Sequence, residues 1–254
     1  MFTSLFNLSH KRILVTGSNA GLGFHIARGL AQHGAHVILN GRNEAKLHAA
    51  AEALRKEELS IGEARFDITR ENEIREAITQ LTAESPIDVL VNNAGIQRRI
   101  RLDEVALSVW TEVLETNLTS AMLVSREVVQ GMMERQSGKI INVCSLQSDF
   151  ARTTTGPYTA AKGGLKMLTK AMCADWARFN IQVNAIGPGY FITEMTQILA
   201  DDPKFDGWVK QRTPAQRWGS PAELAGAAVF LSSDASAFVN GQIIYVDGGM
   251  SASL

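Results

Sequence analysis

Tyr158 and Lys162 stand four residues apart in the run Pro157-Tyr158-Thr159-Ala160-Ala161-Lys162. On a helix, residues at that separation share one face. A phenol beside an ammonium gives up its proton more readily, because the cation stabilises the phenolate. A tyrosine tuned downward in this way can serve as acid or base for an alcohol and ketone pair. The pair alone is weak evidence, since this spacing arises often by chance. Ser145 lies 13 residues before Tyr158, just after the apolar run Lys139–Val143, where its hydroxyl could hold a substrate oxygen. Asn117, in a helical stretch, is a fourth polar group, and Asn92-Asn93-Ala94-Gly95 closes another apolar run.

A second constellation sits near the start of the chain. Thr16-Gly17-Ser18-Asn19-Ala20-Gly21-Leu22-Gly23 follows the first apolar run and opens a helical pattern. Glycines let the backbone turn sharply and approach a pyrophosphate, and the helix N-terminus offers free N–H groups and a positive dipole end. The spacing is T-G-x3-G-x-G, and a glycine-rich turn can also be only a tight strand-to-helix loop; its position after a strand and before a helix favours phosphate. About 20 residues on, a carboxylate would bind the ribose 2′-hydroxyl of NAD. The sequence there is Asn40-Gly41-Arg42-Asn43, without one. Arg42 can pair with a 2′-phosphate instead, which points to NADP(H). Asp67 and Ile68, after the third apolar run, are placed to edge the adenine.

These residues need a frame, and the chain alternates short β-branched runs with longer helical patterns. Arg12–Thr16, His36–Asn40, Glu63–Phe66, Asp88–Asn92, Lys139–Val143, Gln182–Ile186 and Gln242–Val246 read as strands buried on both faces. Leu22–His33, Asn43–Glu58, Glu71–Glu84, Ser108–Gln136, Pro157–Phe179 and Pro221–Ser232 read as helices. Ser220-Pro221-Ala222-Glu223 carries Ser at an N-cap, Pro at N1 and Glu at N3. Strand–helix–strand repetition predicts a doubly wound α/β fold with a mostly parallel sheet. No linker breaks the pattern, so residues 1–254 read as one domain. The long mixed stretch Phe191–Arg217 falls between a strand and a helix; such insertions are lids over a site or plain surface excursions.

Composition narrows the function. The chain has 254 residues, is 45% hydrophobic and 20% charged, and carries a net charge of −1. Nothing in that balance suggests nucleic acid or an anionic membrane as partner. Cys144 and Cys173 lack metal or redox spacing and read as reduced thiols of a cytoplasmic protein. Residues Met1–Arg12 lack the pattern of a signal peptide, and no apolar stretch approaches the roughly 18 residues of a membrane span. The five histidines, all between His10 and His48, form no ligand motif, so no metal is expected.

Taken together, TGSNAGLG, NNAG, Asn117, Ser145, YTAAK and Gly187-Pro188-Gly189-Tyr190-Phe191-Ile192-Thr193 resemble the short-chain dehydrogenase/reductase family, from Leu8 to the terminal Val246-Asp247-Gly248-Gly249. The resemblance implies a single Rossmann-type domain with a seven-stranded sheet and helices on both faces, and a homotetramer. It implies that Tyr158 donates and accepts the proton, that Lys162 holds the nicotinamide ribose and lowers the tyrosine's pKa, that Ser145 orients the substrate oxygen, and that Asn117 anchors a relay water. It places the cofactor on Gly17, Ser18, Asn19, Gly21, Leu22, Gly23, Asn93, Ala94 and Gly95. Pro188, Gly189, Ile192 and Thr193 would line the nicotinamide.

Arg98, Arg99 and Arg101 follow NNAG-Ile96-Gln97, beside the expected nicotinamide, and arginine clamps carboxylates well. A solvated charged loop is the plain alternative. NNAGIQRR, Cys144-Ser145-Leu146-Gln147-Ser148, Thr193-Glu194-Met195-Thr196, and Arg212-Thr213-Pro214-Ala215 with Arg217-Trp218-Gly219 resemble the gluconate 5-dehydrogenase group of that family. This implies interconversion of D-gluconate and 5-keto-D-gluconate, with Arg99 on the carboxylate and Gln147 on sugar hydroxyls. A 3-oxoacyl-carrier-protein or general ketone reductase is the alternative enzyme. A non-catalytic NADP-binding regulator is the alternative class.

Overall fold

The computed structural model of the chain describes residues 5–194 and 196–253. Residues Met1–Ser4 of the N-terminal segment and Met195 of the Thr193–Thr196 motif lie outside the described residues. Seven strands form one sheet: β1 (Arg12–Val15), β2 (His36–Gly41), β3 (Ile61–Arg65), β4 (Val89–Asn92), β5 (Gly138–Val143), β6 (Ile181–Pro188) and β7 (Ile243–Val246). Their order is β3-β2-β1-β4-β5-β6-β7, and every neighbouring pair is parallel.

Alternation within β1 explains the layering. Ile13 and Val15 pack into a core that also holds Val37, Leu39, Ile26, Leu30 and Leu47, under helices α1 (Gly21–Gln32), α2 (Glu44–Arg55) and α9 (Ala225–Ser232). Leu14 turns the other way, into a core with Ile38, Leu90, Ile140, Val183, Ile74 and Val128. That side is covered by α3 (Glu71–Glu84), α5 (Ser120–Arg135) and α6 (Gly156–Trp176). A strand with apolar residues at every position therefore serves two cores, as a parallel sheet covered on both faces requires. The Leu14–Ile38 and Leu14–Leu90 register pairs align one of these cores across three strands.

Element bounds differ from the expectation in instructive places. The predicted helix Ser108–Gln136 is α4 (Leu107–Leu114), a π-helical turn at Glu115–Thr119, and α5. The turn between them is wider, and it holds Asn117. The expected helix Pro221–Ser232 opens as a 3-10 turn over Pro221–Leu224, whose Glu223 carboxylate accepts from the Ser220 N–H at 2.7 Å. Within the stretch expected as a lid or excursion, two helices form, α7 (Gln197–Ala200) and α8 (Pro203–Arg212). The ends of this excursion are pinned together. The Gly219 N–H donates to Tyr190 O at 2.8 Å, and the Ile192 N–H donates to Gly219 O at 3.3 Å.

Candidate active site

The carboxyl ends of the central strands open into a crevice of about 440 Å³. The β1–α1 turn forms one wall. Gly17 has φ +60°, and a Cβ there would lie 2.8 Å from the Cα of Ala94, so only glycine fits. The turn is held from below by Asn40, which is fully buried. Its Oδ1 accepts from the Gly17 N–H at 3.2 Å, and its Nδ2 donates to Ala64 O and Phe66 O, both at 3.1 Å. Asn93 braces the other side, donating through Nδ2 to Thr16 O (2.9 Å) and Gly17 O (3.0 Å). No side chain caps α1, and its first turn carries no acidic residue. By contrast, Asn43 caps α2 and Asp202 caps α8. The first N–H groups of α1 thus face the crevice without a carboxylate competitor, which fits an anionic phosphate.

Along the adjoining edge lie Arg42, Asp67 and Ile68. Arg42, with its side chain 71% exposed, reaches Asp67 at 3.4 Å. Burial pushes the Asp67 carboxyl upward, but hydrogen bonds from the Thr69 N–H and hydroxyl, together with Arg42, hold it below its ordinary value.

Ser145, Tyr158 and Lys162 line the opposite wall. Ser145 lies two residues beyond β5, and its Oγ accepts from the Gln147 N–H at 3.1 Å. Pro157 in the first turn of α6 fixes the helix start, so Tyr158 and Lys162 project from successive turns. Lys162 is buried. Its Nζ donates to Val143 O at 2.7 Å and stands 5.6 Å from the centre of the Tyr158 ring. Burial pulls this ammonium down to about 8. Burial likewise pushes the Tyr158 phenol up to about 12, against a hydrogen bond from Ser145 that favours the phenolate. The downward tuning of Tyr158 expected from Lys162 does not emerge: desolvation dominates, and the ammonium directs one donor to the Val143 carbonyl.

Asn117 is also placed differently from the expectation. Its Oδ1 accepts from the Ile96 N–H and its Nδ2 donates to Ile96 O, both at 2.8 Å. It staples the π turn to the loop after β4 and does not line the crevice among the described residues. Gly95 must be glycine for this, since a Cβ would come within 2.5 Å of Asn117 Oδ1.

At the substrate end, the three arginines part company. Arg98 pairs with Glu112 at 2.6 Å, and Arg101 pairs with Asp103 at 2.9 Å, both away from the crevice. Arg99 lines it, as does Gln147, whose Oε1 accepts from the Thr159 hydroxyl at 3.1 Å.

The chain matches, over residues 17–251, the family model described as enoyl-(acyl carrier protein) reductase. It is 51% identical over 247 residues to the 5-keto-D-gluconate 5-reductase of Escherichia coli (strain K12), covering 97% of each chain. It is 48% identical to the gluconate 5-dehydrogenase of Gluconobacter oxydans (strain 621H), covering 98% of each. A solved gluconate 5-dehydrogenase from Burkholderia cenocepacia J2315, in complex with NADP and tartrate, is 47% identical with a TM-score of 0.97 over 100% of both chains. The chain belongs to the short-chain dehydrogenase/reductase family. It is an oxidoreductase acting on CH–OH groups.

Within this short-chain oxidoreductase, most residues expected at the site come together. Gly17, Asn19, Gly21, Leu22, Gly23, Arg42, Asp67, Ile68, Asn93, Ala94, Gly95, Pro188, Gly189 and Thr193 line one crevice with Ser145, Tyr158 and Lys162. Two expected cofactor contacts do not. Ser18 is fully buried, its N–H on Asn40 O (3.0 Å) and its Oγ on Val15 O (2.7 Å), because the turn needs an internal tie to β1 and β2. Ile192 is exposed and borders an adjoining depression with Phe24, His25 and Lys46, which shares Asn19, Gly21 and Thr193 with the crevice. Sequence reasoning missed Asn40 and Thr16, whose Oγ1 accepts from the Asn93 N–H at 3.0 Å. It also missed Arg152, which enters the crevice from the loop after β5.

Proposed function

We propose that the chain is an NADP(H)-dependent dehydrogenase interconverting D-gluconate and 5-keto-D-gluconate. One observation carries the reading. Ser145, Tyr158 and Lys162 share a single crevice with a glycine turn suited to phosphate, an exposed Arg42 and a carboxylate-competent Arg99. The relatives' activities and the NADP in the Burkholderia cenocepacia enzyme support it.

The fit to the cofactor rests on the glycine turn and on Arg42. The exposed Arg42–Asp67 contact is long and exchangeable, worth at most about 1 kcal/mol. A 2′-phosphate would bind the guanidinium more strongly. Held by the glycine turn and Arg42, a bound NADP(H) would supply or accept the hydride at carbon 5 of the sugar chain. The chain's own residues handle the oxygen. In reduction, the Ser145 hydroxyl donates to the carbonyl oxygen and the Tyr158 hydroxyl delivers the proton as negative charge develops there. A phenol with its pKa held high keeps that proton until it is needed. Lys162 holds the ribose hydroxyls and places a cation beside the phenol. In oxidation, Tyr158 takes the proton back as base. Arg99 holds the carboxylate, Gln147 a hydroxyl, and the excursion carrying α7 and α8 covers the site as a lid.

An absorbance assay at the NADPH band tests this. Turnover of 5-keto-D-gluconate with NADPH well above NADH is expected, and Arg42→Glu should swing the preference toward NADH. Turnover only with 3-oxoacyl thioesters would replace the reading with a carrier-protein reductase. No turnover with any carbonyl would favour a regulator. Exposed Leu107 on α4 and Met167 on α6 support the homotetramer that the family resemblance implies, which the native mass in solution checks.

A further inference from the structure

Arg152 sits in the loop after β5, and no motif points to it. The loop is stitched to the one bearing Arg99, because the Ile100 N–H donates to Thr154 O at 2.9 Å. Two guanidinium groups from different loops thereby line one crevice. Arg98 and Arg101 are neutralised by carboxylates, yet Arg99 and Arg152 have no ion-pair partner among the described residues. Glu194 also lines the crevice but pairs with neither. The two charges feel each other: burial, and then the Arg152 charge, push the Arg99 guanidinium down. Two guanidinium groups without a carboxylate partner, lining one crevice, make a site that an anion relieves.

Arg152 is also the better fixed of the two. Its guanidinium lies 4.5 Å from the centre of the Phe205 ring and 5.9 Å from that of Trp208, and it donates to the Tyr190 hydroxyl at 3.3 Å. Tyr190 in turn meets Phe205, Trp208 and Trp218 edge-on, at 5.6, 5.7 and 5.7 Å between ring centres. An arginine stacked on aromatic faces keeps its N–H edges available while its plane is held.

We propose that Arg152 is a second carboxylate-binding residue, which with Arg99 forms a two-guanidinium clamp selecting acids over neutral ketones. This rests on the sugar-acid reading above. Arg99 approaches from the loop after β4. Arg152 approaches from the excursion side and ties the occupied site to α8 through its aromatic seat.

The test compares 5-keto-D-gluconate with 5-keto-D-gluconamide, the same chain with its carboxylate made neutral. Arg152→Gln keeps a donor for the Tyr190 hydroxyl and removes the charge. It should raise KM for the acid roughly 10- to 100-fold, the usual range for a lost charged hydrogen bond, and leave kcat and the NADPH dissociation constant nearly unchanged. KM for the amide should move less than about threefold, and Arg152→Lys should recover part of the acid affinity. A fall in kcat with equal effects on both substrates would make Arg152 a strut for α8 and overturn the clamp alone. A wild-type preference for the amide would overturn the sugar-acid reading and the clamp together.

Discussion

At the scale of single residues, burial governs the chemistry. Tyr158 and Lys162 are close, yet each is shifted toward its neutral form by lost solvation. For stability, Lys162 ionises near 8 when folded and near 10.4 when unfolded, so between those values the unfolded chain binds more protons and this group's contribution rises with pH. Catalysis runs the other way. The proposed reduction requires a protonated Tyr158 and a cation at Lys162, so on that proposal reductive kcat/KM should fall above about pH 8, approaching tenfold per unit. Tyr158→Phe should lower turnover by roughly 10²- to 10⁴-fold while NADPH still binds, read by stopped-assay kinetics and fluorescence titration. A Phe variant with wild-type kcat would remove the phenol from the mechanism. The residues legible in the sequence were those with fixed spacing: Tyr158 with Lys162, the glycine turn, and Arg42 where a carboxylate is absent. Arg152 was not legible, because its partners Tyr190, Phe205 and Trp208 are 38 or more positions away and carry no periodic signal.

At the scale of elements, turns do the positioning. The apolar pattern of Ser108–Gln136 continues through the π turn, so periodicity reads one helix where the structure has two flanking a widened turn. That turn aims Asn117 at Ile96, and Gly95 makes room for it. Gly95→Ala should therefore displace the carboxamide, lower the unfolding midpoint by roughly 3–10 °C and reduce kcat/KM. Gly226→Ala in α9 is the control: beyond its own helix backbone and chain neighbours nothing lies within 4 Å of the added Cβ, so it should be neutral or slightly stabilising. Calorimetry of the two variants decides. If Gly95→Ala melts with the wild type at full activity, the staple does not position the site. The excursion between β6 and α9 shows the opposite limit of legibility. Its interruption of the strand–helix rhythm was visible, but short α7 and α8 were not, since four- and ten-residue helices with mixed faces give little period to read.

At the scale of the whole molecule, sheet order explains why one crevice gathers most of the candidate site residues. The chain winds outward from β1 toward β3 and then from β4 toward β7, so the loops leaving β1 and β4 diverge over the middle of the sheet. The inner strands were readable because a sheet covered on both faces demands nearly continuous apolar runs, whereas edge strand β3, Ile-Gly-Glu-Ala-Arg, shows only a broken one. Bounds slipped by only a residue or two, as at β3. No helix among the described residues is long and apolar enough to cross a membrane. The central claim is that this crevice delivers hydride to the sugar carbon facing the Tyr158 hydroxyl. Incubating the protein with NADPH doubly deuterated at C4 and 5-keto-D-gluconate, then reading the product by NMR, tests it most directly. The account predicts one deuterium, at C5 of gluconate; product without deuterium there, or labelled at another carbon, would contradict it.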